Sequence, residues 1–248
     1  IEEIEKNFIL KDKDYELANT FWPGPLTLIL EKKINSIISP LLSNNKNQVG
    51  CRIPNNEISL SLLSIIDFPI AAPSANIATR TSVTSIDDLD YKLKEIFYID
   101  GGSSVLGLES TVIKTTKNGC KILRLGSLTI EDIKIKFPKY EISIDQSDVS
   151  PGNQLKHYSP IKPIRINVDF VKKNETLLNF GINELASDIK SLNLSIDENL
   201  SDASYNFYNY LNILDSINCD GIAVAPIPDQ GLGKTINDRL RRASHKDE

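Results

Sequence analysis

The chain has 248 residues, with 40% hydrophobic and 25% charged content and a formal net charge of −5. That length and composition describe a globular protein with room for one large or two smaller α/β domains, and exclude a disordered or fibrous chain. The negative balance excludes a chain that binds nucleic acid through overall charge alone, although Arg239–Arg242 form a local basic group.

The elements follow in chain order. Glu2–Asn19 interleaves apolar and charged positions as a helix does, and Trp22-Pro-Gly-Pro25 makes a turn before a strand at Leu26–Leu30. A second strand is expected at Gln48–Ile53, a short amphipathic helix at Ile58–Ile66 and a buried strand at Pro69–Ala72. A Ser/Thr-rich loop then leads to a helix at Ile86–Ile96, with Ser85 as its cap. Strands at Ser110–Lys114 and Lys121–Arg124 flank the hairpin turn Asn118-Gly119, and Gly126–Thr129 cap a helix near Ile130–Ile135. Prolines 151, 160 and 163 mark an extended linker over 146–163. Beyond it, Thr176–Asn179, Asn183–Leu192, a helix at Ala203–Leu214 and Gly221–Ala225 fit a strand–helix–strand–helix rhythm and a small three-layer domain, closed by a helix at Ile236–Ala243.

The longest apolar stretches, Leu26–Leu30 and Ile65–Ala72, fall far short of the roughly 20 residues a membrane helix needs. The acidic opening Ile1-Glu-Glu-Ile-Glu-Lys is no secretory signal, so a cytoplasmic location and no membrane partner are expected. Cys51, Cys120 and Cys219 are odd in number and widely spaced, and the only histidines are His157 and His245. Neither a disulfide framework nor a structural metal site is expected. The chain contains no methionine and begins with Ile, so its numbering is expected to start inside a longer product or at an unusual start.

Three stretches carry candidate chemistry. Ser74-Ala-Asn76 follows an apolar run, where a loop at a strand's carboxyl end could hold phosphate oxygens; Ser-x-Asn is equally a turn signature. Arg52 ends a strand, and its guanidinium suits a carboxylate or phosphate as well as an ion pair. Glu109-Ser-Thr-Val112 opens a strand with hydroxyls, which together with Arg124 could face a ligand or simply complete the sheet.

Together these pieces resemble one family in order and spacing. Trp22-Pro-Gly-Pro-Leu-Thr27, Arg52-Ile-Pro54, Ala71-Ala-Pro-Ser-Ala-Asn76 with Ser82 and Thr84, Glu109-Ser-Thr-Val112 and Leu123-Arg124-x-Gly126 are similar to the YrdC/Sua5 family. Ser150-Pro-Gly152, His157-Tyr-Ser-Pro160, Gly231-Leu-Gly233 and Asn237-Asp-Arg-Leu240 resemble its longer Sua5 branch. The resemblance implies a YrdC-like twisted open α/β sheet with helices in residues 1–145, a linker over 146–163 and a small Rossmann-like α/β Sua5 domain in 164–248.

It also implies an L-threonylcarbamoyladenylate synthase, which joins L-threonine, bicarbonate and ATP into threonylcarbamoyl-AMP and pyrophosphate for the t6A modification of tRNA. Mg2+ would accompany ATP, and the t6A transferase machinery would take up the product. By matching motifs, Ser74, Asn76, Ser82, Arg124, Gln48 and His157 fall to ATP, and Arg52, Ala72 and Ser110 to threonine. No side-chain nucleophile is implied; catalysis would rest on positioning and fixed charge.

The family carries a Lys-x-Arg signature upstream of Trp-Pro-Gly-Pro, and this sequence has only Lys11-Asp-Lys13 there, so the chain as given is expected to make little or no product. The rival expectation is a non-catalytic nucleotide or double-stranded RNA binding module, since the family's concave surface implies a contact with RNA.

Overall fold

The computed structural model describes residues 1–43, 46–77, 80–90, 96–145 and 159–244. The chain forms two compact units, Ile1–Pro73 with Glu109–Ser147, and Ser74–Leu108 with Asp148–Glu248. Among the described residues no helix is long and apolar enough to cross a membrane.

The first unit begins with helix α1 (Glu2–Asn7), strand β1 (Phe8–Ile9) and helix α2 (Asp12–Phe21), where the sequence pattern predicts one helix. The break has two causes. Phe8 pairs with Lys32, and the Asp14 carboxylate accepts the Lys11 backbone N–H at 2.8 Å, opening a new helix. Strand β2 (Leu26–Lys32) pairs antiparallel with β3 (Gln48–Cys51) and parallel with β4 (Thr111–Thr115). Strands β5 (Gly119–Arg124) and β6 (Glu141–Ile144) continue the sheet beyond β4.

Alternation along β2 buries Leu26, Leu28 and Leu30 against Leu17, Ala18 and Trp22 of the α2 end, together with Ile133 of α4 (Ile130–Lys136). Both helices therefore cover one face, and Thr27 and Ile29 project from the other. Thr129 caps α4, its hydroxyl accepting the Asp132 N–H at 3.1 Å.

Helix α3 (Glu57–Ile65) is capped by Asn56, which accepts the Ser59 N–H at 2.9 Å. The expected buried strand at Pro69–Ala72 is absent. These residues are exposed coil, with Ile70 47% exposed, because a short apolar run becomes a strand only where a partner edge and a covering face are both at hand.

In the second unit, β7 (Ile164–Arg165), β10 (Gly221–Val224), β8 (Glu175–Asn179) and β9 (Ser191–Asn193) lie in that order, all parallel. Ile222, Val224 and Leu178 pack on Phe207, Leu211, Ile236 and Leu240, so helices α5 (Leu200–Ser216) and α6 (Gly231–Ser244) share one face. Leu177 and Ala223 face the other way, onto Val168 with Val171 and Leu185 from loops. The expected third, helical layer is thus made of loops. Asn183–Lys190 forms no helix because its side chains satisfy the backbone instead: Ser187 Oγ accepts the Ile189 and Lys190 amides, and Asn183 Nδ2 donates to the Phe180 carbonyl at 3.0 Å. The expected helix at Ile86–Ile96 is a single 3-10 turn at Ile86–Asp88; residues 91–95 lie outside the described set.

Candidate functional site

Strand register decides which residues can meet. Cys51 pairs with Leu28 and Leu26 with Thr111, while Val112 pairs with Arg124. The start of β2 and β4 and the end of β3 and β5 therefore form one end of the first sheet. Arg52, Thr27, Ser110 and Arg124 converge there.

The Trp22-Pro-Gly-Pro25 turn is the frame of this end. The Trp22 indole donates to the Leu26 carbonyl at 2.6 Å, the Gly24 amide to the Ile53 carbonyl at 2.9 Å and the Thr111 amide to the Pro25 carbonyl at 2.9 Å. Arg52 Nε donates to the Gly24 carbonyl at 2.8 Å, which fixes the side chain across the turn. Partial desolvation, and then the positive charge of Arg124, hold the Arg52 pKa below its ordinary value. Two guanidiniums at the same end of one sheet favour an anionic ligand there.

Arg124 is aimed by a β-bulge. The register slips between Val112 and Ile113, leaving an extra residue on β5 beside the last pair. Its guanidinium then forks onto the Ser110 carbonyl, from Nε at 3.2 Å and Nη2 at 2.9 Å, and Nη2 also donates to Ser110 Oγ at 3.1 Å. Ser110 Oγ lies 2.7 Å from Thr27 Oγ1. Close approach is possible because residue 126 is glycine: a Cβ there would lie 2.5 Å from the Glu109 carbonyl oxygen, the Ser110 carbonyl carbon and the Thr111 nitrogen. Thr111 Oγ1 donates to the Leu128 carbonyl at 2.6 Å and accepts its amide at 3.1 Å, closing the clasp.

Other expected residues lie elsewhere. Gln48 pairs with Glu31 at the far end of β3, about 13 Å along the strand from Arg52, and accepts a bond from Lys114 Nζ at 2.9 Å. The structure does not bring it to the group. Ala72 is exposed coil within the first unit.

Ser74, Asn76 and Ser82 belong to the second compact unit. Ser74 is exposed and Ser82 half-buried. Asn76 Nδ2 donates to the Ile77 and Arg80 carbonyls at 3.0 and 3.1 Å, closing a turn, while its Oδ1 is buried with no hydrogen-bond partner. Asn76 lines a depression of about 500 Å3 shared with Arg80, Thr81 and Asn212. His157 lies outside the described residues. The sequence places Gly24 in a turn, Gly126 in a helix cap and Thr27 only in its motif, without a site role for any of them; Thr27's hydroxyl on an otherwise apolar strand is the local signal that marks it.

Among the described residues no group of three or more His, Cys, Asp or Glu is placed to hold a metal ion. Fold and geometry together define a mixed α/β protein whose first sheet ends in paired guanidiniums and hydroxyls suited to an anionic ligand. The chain belongs to the Sua5/YrdC family. Residues 1–126 match the Sua5, YciO and YrdC model described as telomere recombination, and residues 128–245 match the model described as threonylcarbamoyl-AMP synthase, C-terminal domain.

Among its relatives, the threonylcarbamoyl-AMP synthase of Pyrococcus abyssi is 31% identical over 249 residues, covering 92% of this chain and 72% of the relative. The enzyme of that name from Bacillus subtilis is 30% identical over 256 residues, covering 94% and 73%. The crystal structure of P. abyssi Sua5 complexed with L-threonine matches with a TM-score of 0.82 at 28% identity, over 98% of this chain and 77% of that one.

Proposed function

We propose that the chain acts as an L-threonylcarbamoyladenylate synthase. The observation that carries this reading is the grouping of Arg52, Arg124 and Ser110 at one end of the first sheet, in a chain related over most of its length to enzymes of that name. In this reading the threonine amine adds to CO2 from bicarbonate, giving a carbamate. The carbamate oxygen attacks the α-phosphorus of ATP, and pyrophosphate leaves with the Pα–O bond electrons.

Arg52 holds the threonine carboxylate, with Ser110 as a donor beside it and the Ala72 backbone near the amino acid. Arg124 places fixed positive charge toward the α-phosphate, where charge develops in the transition state. Ser74, Asn76 and Ser82 serve the nucleotide, with the orphaned Asn76 Oδ1 a natural acceptor for the adenylate. His157 is assigned to ATP by its motif alone, and the placement of Gln48 leaves it outside this group. No described residue is assigned to hold Mg2+; accompanying ATP, it would supply charge that offsets the departing pyrophosphate.

We take residues 1–145 as the catalytic domain, 146–163 as the linker and 164–248 as the second domain; the compact units differ in grouping Ser74–Leu108 with the second. A cytoplasmic site of action, delivery of the product to the t6A machinery and contact with RNA complete the proposal. The test is pyrophosphate release from ATP with L-threonine, followed with and without bicarbonate. Release that, at whatever rate, needs both threonine and bicarbonate is the expected result; release indifferent to either overturns the reading.

A further inference from the structure

Thr27 closes the motif Trp22-Pro-Gly-Pro-Leu-Thr27, yet the reaction as described gives it no part. It sits on β2 between two neighbours. On one side its methyl fills the space beside Gly50, where a Cβ would come within 3.1 Å of Thr27 Cγ2. With the methyl held there, the hydroxyl turns toward β4 and reaches Ser110 Oγ at 2.7 Å. Ser110 is buried, only 6% exposed, so bulk water offers it little.

Proton counting gives the consequence. The two hydroxyls carry two protons, and the bond between them uses one. Arg124 Nη2 can only donate, so Ser110 Oγ accepts at 3.1 Å and has one further lone pair. If Thr27 donates into it, both Ser110 lone pairs are filled and the Ser110 proton is committed to a third group. Among the described residues neither hydroxyl has another acceptor.

Either hydroxyl can donate within the pair; we infer that Thr27 is a positioning residue for the amino-acid substrate, which on binding makes Thr27 the donor into the second Ser110 lone pair and takes the Ser110 proton onto one of its own oxygens. The inference rests on the proposed synthase reading. Thr27 touches Ser110 rather than the substrate, and its effect passes through that hydroxyl.

The experiment measures L-threonine affinity by calorimetry, and KM for threonine against KM for ATP, on the full chain. Thr27→Val keeps the shape and removes the hydroxyl; Thr27→Ser keeps the hydroxyl and removes the methyl. Threonine binding about five- to tenfold weaker in Thr27→Val, with KM for ATP unchanged and Thr27→Ser within about twofold of the unaltered chain, is the expected result. Thr27→Ala supplies the same comparison should valine disturb the sheet. In the background of Ser110→Ala, Thr27→Val should add no further loss. Equal loss toward both substrates, no loss in Thr27→Val, failure of serine to rescue, or additive losses with Ser110→Ala each overturn the role of Thr27 alone. An unaltered chain that binds no L-threonine overturns the synthase reading, and this inference with it.

Discussion

Arg52 and Arg124 bring two like charges to one end of a sheet, and after partial desolvation it is the Arg124 charge that most weakens the hold of Arg52 on its proton. Such an arrangement costs the ligand-free fold and favours the anion-bound one. Arg52→Gln should therefore cost little stability, about 1 kcal/mol for the lost bond to the Gly24 carbonyl, while lowering pyrophosphate release by about 10²-fold. Thermal unfolding and turnover measured on the same sample check this. A variant that melts far lower but turns over normally would reverse the assignment.

Arg124→Lys separates charge from geometry. Lysine keeps the positive charge but lacks the fork through which Nε and Nη2 both reach the Ser110 carbonyl. Turnover should fall at least about tenfold, with the greater effect on KM for threonine, because Ser110 loses its anchor. Wild-type kinetics in this variant would show that charge alone suffices.

Gly126→Ala tests the close approach of the β5 exit to the Ser110 backbone. A Cβ there meets three backbone atoms at 2.5 Å, none of which can rotate away. The first unit should lose about 1–3 kcal/mol by chemical denaturation, and threonine binding should weaken with it. An alanine variant equal to the parent in both measurements would place the clasp elsewhere.

Acid should loosen the second unit through Glu175. The Arg165 guanidinium, bonding bidentately at 2.8 and 2.7 Å, holds the Glu175 carboxyl below its ordinary value of 4.5. As pH falls, the unfolded chain takes up this proton first, so the stabilisation is complete above about 4.5 and fades as pH drops through the lower folded value. Melting temperature followed from pH 6 down to pH 3 should fall over that lower window, and Glu175→Gln should flatten this part of the curve. An unchanged slope in the variant would assign the acid sensitivity to other carboxylates.

The three cysteines should differ in reactivity. Burial pushes both the Cys51 and Cys120 thiols up to about 11, so at pH 8 little thiolate is available at either, and Cys120 is also only 1% exposed. Iodoacetamide should label Cys219 first, and Cys219→Ser should remove the fast phase seen by mass spectrometry. Labelling of Cys120 at a comparable rate would mean that the core around it opens.

Elements with their own local signals were legible in the sequence. The strand at Leu26–Leu30, the helix that follows Gly126–Thr129, the Asn118-Gly119 hairpin and the helix at Ala203–Leu214 appear within a few residues of where the chain alone puts them. The motifs around Arg52, Ser110 and Arg124 were legible too, and they carry the family. Tertiary structure decided the rest.

Phe8–Ile9 leaves the helix because Glu31 and Lys32, far along the chain, offer an edge, and Pro69–Ala72 stays coil because it pairs with no edge among the described residues. Gln48 and Arg52 are four residues apart, yet only Arg52 reaches the anion-binding end, since Gln48 opens β3 and Arg52 lies just past its last residue, Cys51. Local propensity and spacing can mark a guanidinium or a hydroxyl as available. Which of them meet depends on strand register and on one bulge: the β2–β4 register pairs Leu26 with Thr111, far apart in the chain, and the bulge between β4 and β5 sets Arg124 against Val112.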